Sequence, residues 1–313
     1  MDALRLIIDT DTAGDDATAI LLALKWPGVK VEAITINCGN INFDQQVENA
    51  LFVTEFAGKG EVPVFPGCRE PLVKDWRTVE NIHGNDGMGD SFFPKTSKRP
   101  EKRHAVEEII DLVNRNPGEI TIVEQAPMTN LAMAIKMDKS IANKVKGVYI
   151  MGGSYNYPGN VTPAAEFNFW VDPEAAHIVL NSGMPITLVG WDITMKYGLL
   201  DSFDLQKIAA IKSKNSEFFI NINRTVRKFM SMNYGTDAVT CPDSITMAIS
   251  INSKVATRII QRHVQVDYTD GISRGASYVD EFNVTGLEPN ANLVVEASNL
   301  AFKEMLFSVL SEN

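Results

Sequence analysis

Cysteine is scarce in this chain: three residues in 313, at Cys38, Cys68 and Cys241, an odd number with no Cys-x-x-Cys spacing. That excludes a fold stapled by a disulfide framework and fits a reducing compartment. Basic residues are in short supply too, with 29 Lys and Arg against 39 Asp and Glu, a net charge of −10. Sequence-independent nucleic-acid binding relies on Lys and Arg neutralising phosphates, so that class is set aside, and a cation or a neutral small molecule is the expected partner. No apolar run approaches the roughly 18 residues that suggest a membrane span. The opening residues, MDALRLIIDTD, lack the basic start and long apolar stretch of a secretory signal, so the expected setting is the cytoplasm. What is present is ordinary: 45% hydrophobic and 22% charged residues, which excludes a disordered or collagen-like chain and leaves ample material for a core.

Short apolar runs at residues 4–8, 31–36, 62–65, 120–123, 148–151 and 186–189 read as buried strands. Between them, residues 15–25, 43–57, 105–114 and the stretch from Thr129 carry helical spacing, and Asp172-Pro173-Glu174 is a helix start with an Asp cap and Pro in the first turn. Unbroken apolar strands alternating with helices predict an α/β fold. The expectation is a single large domain over residues 1–313, with a mostly parallel central sheet covered by helices on both faces and the active site at the carboxyl ends of the strands. Beyond residue 201 the chain reads as richer in helix, at 202–212, 217–232 and 297–311, with a return to strand within 264–278. Residues 66–103 form a long polar loop, of the kind that is usually functional in a compact domain.

The segments that follow the strands hold the chemistry. After the first comes Asp9-Thr10-Asp11-Thr12-Ala13-Gly14-Asp15-Asp16, four carboxylates in eight residues entering a helix. The helix N-terminus favours them, yet they repel one another, and a cation relieves that repulsion. Oxygen donors alone select calcium or magnesium over zinc. The plainer alternative is a capped helix with solvated surface acids. Asn37-Cys38-Gly39-Asn40 is by itself a tight turn. The turn Gln125-Ala126-Pro127 can aim a backbone carbonyl into the same crevice. Asn160, Glu166 and Asn168, after the fifth strand, suit sugar hydroxyls, whereas Asp243 alone would be read as a helix cap. Of the four histidines, His104 and His177 fall in helical patterns, and His83, in His83-Gly84-Asn85-Asp86-Gly87, is the candidate for function.

Taken together, IIDTDTAGDDA, NCGN, HGNDGMG, APMTN, MGG and GNVTPAAEFNFWVDPEAA resemble the nucleoside hydrolases, the inosine–uridine-preferring group and its relatives, in order along nearly the whole chain. The resemblance implies a calcium-dependent N-glycosidase that releases ribose and free base from purine or pyrimidine ribonucleosides, working as a homodimer or homotetramer. It implies Asp11, Asp16, Asp243 and the Gln125 carbonyl as calcium ligands. It implies Asp15 and Asn168 at the 2′- and 3′-hydroxyls of ribose, Asn40 near the attacking water, Asn160 and Glu166 at the 5′ end, Met151 packed below the sugar, and His83 at the base. Chemistry agrees: the transition state is oxocarbenium-like, carboxylates stabilise its charge, and Asp11 is the expected general base toward a metal-activated water.

The chain departs from that family at one point. Where members commonly carry a His before the late Asp as leaving-group acid, this chain has Pro242. His83, Tyr234, or stacking on an aromatic such as Trp76, Trp191 or Tyr278 are the alternatives. Two rival functions stand beside the hydrolase: a calcium-dependent nucleoside- or ribose-binding protein without turnover, and a haloacid-dehalogenase-type phosphatase in which Asp9 would be nucleophile and Asp11 the acid/base.

Overall fold

A computed structural model describes residues 3–312. Its strands and helices run in the order β1 (Leu4–Thr10), α1 (Gly14–Lys25), β2 (Val29–Ile36), α2 (Phe43–Phe56), β3 (Val64–Pro66), α3 (Glu80–His83), α4 (Ala105–Arg115), β4 (Ile120–Glu124), α5 (Thr129–Met137), β5 (Gly147–Met151), α6 (Phe167–Val171) and α7 (Pro173–Leu180). The second part continues with β6 (Ile186–Val189), α8 (Trp191–Tyr197), β7 (Leu199–Asp201), α9 (Ser202–Ile211), α10 (Lys214–Ile222), α11 (Arg224–Tyr234), β8 (Ala238–Thr240), α12 (Pro242–Ile251), β9 (Ala256–Arg262), β10 (Val264–Val266), β11 (Ser277–Val279), β12 (Ala291–Ala297) and α13 (Asn299–Leu310).

Eight strands form one sheet in the order β3-β2-β1-β4-β5-β6-β12-β9, parallel throughout except for β9, which runs antiparallel to β12 at the edge. β1 is flanked by β2 on one side and β4 on the other, so the chain winds outward in both directions from the β1–β4 seam. At such a reversal the loops after the two strands part and leave a crevice at their carboxyl ends. The expected α/β class is therefore the observed one.

Alternation of side chains explains why helices cover both faces. Leu6 and Ile8 of β1 join the core made with α1, α2, α12 and α13, while Ile7 joins the core on the other face with α4, α5 and α7. The predicted start of α7 is as expected: Asp172 caps it, its Oδ1 accepting from Ala175 N at 2.9 Å, with Pro173 in the first turn. No helix among the described residues is long and apolar enough to cross a membrane.

Two expectations need correcting, and a third, the return to strand within 264–278, is met but incomplete. The helix read across 217–232 is two helices, broken at Asn223, whose side chain turns back onto Phe219 O at 2.9 Å. His104 caps α4 rather than lying within it. The strands that complete the main sheet late in the chain are β9 and β12, whereas the expected 264–278 stretch yields β10 and β11, which pair only with each other. β9 escaped notice because it is an edge strand, mostly exposed, with the mixed sequence ATRIIQR.

Phe302 on α13 is fully buried in the larger core. Phe302→Ala is expected to lower the unfolding free energy by about 3–5 kcal/mol, as read from urea denaturation.

Candidate active site

A cleft of about 780 Å³ opens at the carboxyl ends of the strands. Nine of the eleven side chains singled out from the sequence line it: Asp15, Asn40, His83, Gln125, Met151, Asn160, Glu166, Asn168 and Asp243. The other two, Asp11 and Asp16, lie fully buried directly beneath.

The floor is built by β1 and the start of α1. Asp16 accepts from Thr10 Oγ1 at 2.6 Å, from Ala13 N at 2.9 Å and from Asn40 Nδ2 at 3.4 Å. Asp11 has one oxygen anchored: its Oδ2 accepts from the Asn40 backbone N–H at 2.9 Å. Its Oδ1 is buried and meets no partner. The Gly39 backbone passes so close that a Cβ there would overlap the Asp11 carboxylate. Trp76, one of the aromatics considered for stacking, instead donates its indole N–H to Gly39 O at 2.8 Å and so pins this loop from behind.

Oxygens of Asp15, Asp16 and Asp243 lie within 4.8 Å of one another. Asp15, expected at the sugar, thus belongs to the acidic group, and Asp11 adds its charge from below. Asp243 sits in the first turn of α12, behind Pro242. Gln125 lines the cleft beside them: its side-chain amide donates to Asp243 O at 3.2 Å, its carbonyl accepts from Asn168 Nδ2 at 3.3 Å, and its turn is completed by Met128 in the left-handed region (φ 65°). Strain of that kind is commonly kept where a backbone group must be aimed. Among the described residues lining the cleft none is Lys or Arg.

Burial and mutual repulsion act in the same direction on these carboxyls. Burial, then the charges of Asp16 and Asp15, raise Asp11 well above the usual carboxylate range. Burial and Asp15 push Asp16 up to about 7, and burial with the neighbouring acids raises Asp243 well above the usual carboxylate range. Glu166 is pushed up to about 7 chiefly by burial, against the pull of backbone N–H donors from Gly153 at 2.9 Å, Asn168 at 2.8 Å and Phe169 at 3.2 Å.

Below the floor lies a second acidic pair that sequence reasoning missed. Asp9 is fully buried and accepts from Thr35 Oγ1 at 2.5 Å, Asn130 Nδ2 at 2.8 Å and Asn37 Nδ2 at 3.3 Å. Glu124, at the end of β4, is equally buried, and burial with the adjacent Asp9 charge raises its carboxyl well above the usual range. A buried acid at the end of an apolar strand beside Asp9 was the available signal.

His83 Nδ1 stands 3.6 Å from Asp15 Oδ1, and both atoms are buried without a hydrogen-bond partner. Asn160 Oδ1 is likewise buried and unpartnered. The far wall is apolar and aromatic: Val226, Phe229, Met230 and Tyr234 of α11, with Trp191 of α8. The α11 stripe has helical spacing, which looks the same whether a face packs in a core or walls a cleft. Tyr278 lies on the separate β10–β11 pair and does not reach the cleft.

Comparison with known proteins agrees with this geometry. The profile of the family described as inosine-uridine preferring nucleoside hydrolase matches residues 6–304. A "probable uridine nucleosidase 2" of Oryza sativa subsp. japonica is 37% identical over 88% of this chain and 82% of its own. The solved "plant nucleoside hydrolase - PpNRh1 enzyme" superposes with a TM-score of 0.94, 33% identity and 99% of each chain covered. A "purine-preferring ribonucleoside hydrolase from Gardnerella vaginalis" gives a TM-score of 0.91, 29% identity and 98% coverage of each.

The raised carboxyls have a consequence for stability. With folded pKa values above the ordinary ones, the folded protein binds more protons than the unfolded chain as pH rises from about 4 to 7, and stability falls through that window. In chelator, the melting temperature is expected to be higher near pH 5.5 than near pH 8, and a divalent cation should flatten that slope.

Proposed function

The chain belongs to the inosine-uridine preferring nucleoside hydrolase family, and we propose that within it this protein hydrolyses uridine foremost, using Asp11 as general base beside a calcium site. As a family member it is an N-glycosidase that acts on ribonucleosides. Uridine is chosen because the plant uridine nucleosidase is more similar in sequence than the purine-preferring bacterial enzyme.

The observation that carries the mechanism is the buried carboxylate floor with no Lys or Arg among the described residues of the cleft wall. Its negative charge calls for a counter-ion from outside the chain. Asp11, Asp16, Asp243 and the Gln125 carbonyl offer oxygen only, which suits calcium, and the unpartnered Asp11 and Asp15 oxygens fit an uncompensated site. When bound, such a cation supplies the charge that keeps the carboxylates ionised and lowers the pKa of adjacent water.

The chain's own groups then divide the work. Asp11, one oxygen held by the Asn40 N–H and the other free, takes the proton of the attacking water. The Asn40 side chain, bonded to Asp16 and exposed to the cleft, orients that water. Asp15 and Asn168 hold the 2′- and 3′-hydroxyls, Met151 packs below the ring, and Asn160 and Glu166 meet the 5′ end. As the bond to the base breaks, positive charge on the sugar is stabilised by the floor. His83 delivers a proton to the departing base; Pro242 has none to give, and Tyr234 is a second donor on the opposite wall. Homodimer or homotetramer assembly is part of the same proposal.

Two rivals are answered differently. A phosphatase using Asp9 as nucleophile fails on geometry, because Asp9 is fully buried under the floor with its oxygens hydrogen-bonded. A binder without turnover is answered by assay. Purified protein is expected to release ribose from uridine, with inosine slower, and to lose activity in chelator until calcium is restored. Asp11→Ala should lower kcat by at least about 10³-fold. Nucleoside binding without ribose release, or full hydrolysis by Asp11→Ala, overturns the mechanism. His83→Ala is expected to reduce kcat by about 10²-fold with a smaller change in KM, and Tyr234→Phe by less; the reverse ranking would move the proton donor to Tyr234.

A further inference from the structure

The β10–β11 pair stands apart from the main sheet, and no residue of β9–β12 lines the cleft. Yet it grips each segment that walls the sugar end. Arg274, in the turn between the two strands, forks onto Glu174 of α7 at 2.9 and 2.7 Å, with both side chains mostly buried. Gly275 (φ +82°) lies against the Trp170 backbone, where a Cβ would collide. That fixes α6 and α7, which follow Glu166 and carry Asn168. Lys74 of the long 66–103 loop pairs with Asp270 of the same turn.

The tightest connection is to the loop that carries Asn160. Ser277 Oγ accepts from Ser154 N at 2.8 Å and donates to Ser154 O at 2.8 Å, so one hydroxyl satisfies both main-chain groups of Ser154. Next door, Tyr155 OH donates to Glu281 Oε2 at 2.8 Å, and Arg262 holds Glu281 at 3.3 Å. Further along, Gly159 N donates to Pro163 O at 3.2 Å and Asn160 N to Ala165 O at 3.1 Å within the loop, and Arg77 Nη2 reaches Val161 O at 3.4 Å from outside it. The 153–157 arm leading to the loop is held from outside by Ser277 at Ser154, by Asp192 Oδ1, which accepts from Tyr155 N at 3.0 Å, and by Trp191 N, which donates to Gly153 O at 2.9 Å. Asn160 Oδ1, buried and without a partner, is what the loop presents to the cleft.

We propose that Ser277 is a positioning residue: its hydroxyl, on a strand that contributes nothing to the cleft, fixes the Ser154 peptide and through it the placement of Asn160 against the 5′-hydroxyl of the nucleoside. This rests on the reading above that Asn160 meets the 5′ end. The side chain is suited to the task because its donor and acceptor are both used, which fixes the rotamer as well as the loop.

The test compares uridine, or inosine if it is the better substrate, with its 5′-deoxy analogue. Wild type, Ser277→Ala, Ser277→Thr, Tyr155→Phe and Asn160→Ala are assayed for kcat and KM, with a melting curve for each. Ser277→Ala is expected to lower kcat/KM about tenfold for the parent nucleoside, mainly through KM, and to change the 5′-deoxy analogue by less than about twofold. Ser277→Thr, which keeps the hydroxyl and suits a strand, should restore most of the loss. Tyr155→Phe should shift the ratio in the same direction by less. Equal losses on both substrates, or a lowered melting temperature with an unchanged ratio, make Ser277 structural only and overturn the proposal. Asn160→Ala separates the two readings: if it abolishes the preference for the 5′-hydroxyl while Ser277→Ala does not, only the positioning role falls. If it leaves that preference intact, the 5′ assignment falls and the proposal with it.

Discussion

Repulsion among buried carboxylates is the constraint that organises this molecule. Asp11, Asp16 and Asp243 are almost wholly removed from water, and Asp15 completes the group from the cleft side. Like charges held this close in a medium of low polarity either take up protons or take up a cation. Among the described residues no lysine or arginine lines the cleft to settle the matter internally. The chain instead surrounds the group with fixed donors: Thr10, the Ala13 and Asn40 amides and the Asn40 side chain. These hold the geometry of a binding site while leaving its charge unbalanced, which is what a receptor for a positively charged transition state requires.

The sheet makes that concentration possible. β1 and β4 part at the reversal of strand order, so their following loops face each other across a gap. The Asp9–Glu124 pair spans the seam just beneath. Burial raises both carboxyls, and the Asp9 charge raises Glu124 further, so the pair resists carrying its full negative charge under the floor. Asn130 ties this layer together: its amide donates to Asp9 and to Ile36 O at 3.0 Å, and its oxygen accepts from Cys68 N at 2.8 Å. Three loops are thereby registered against one buried residue.

Much of this was legible in the sequence because the relevant signals are local. Apolar runs of four to eight residues mark β1, β2, β4, β5 and β6, and the acidic loop after β1 announces its chemistry in one short segment. The motifs after the other strands share one cleft only because the fold brings strand ends together. Signals that depend on distant partners were not readable. Asn40 looks like a turn residue until its amide is seen on Asp11. Asp243 looks like a cap. β12 is apolar enough to be a strand, but its place beside β6 is a tertiary fact. The stripe of Val226, Phe229 and Met230 on α11 is the pattern of a core helix, and α11 differs only in that part of its face meets a cleft instead of a neighbour.

That division of the cleft has an evolutionary consequence. The floor is interlocked: Gly39 has no room for a side chain because Asp11 fills the space, and Asn40 serves two aspartates at once. Most of the opposite wall comes from one helix, α11, whose apolar side chains take no part in that interlock. Drift along α11 can therefore reshape what is admitted while the floor stays unchanged, and lineages that share the floor can diverge in diet largely through one helix.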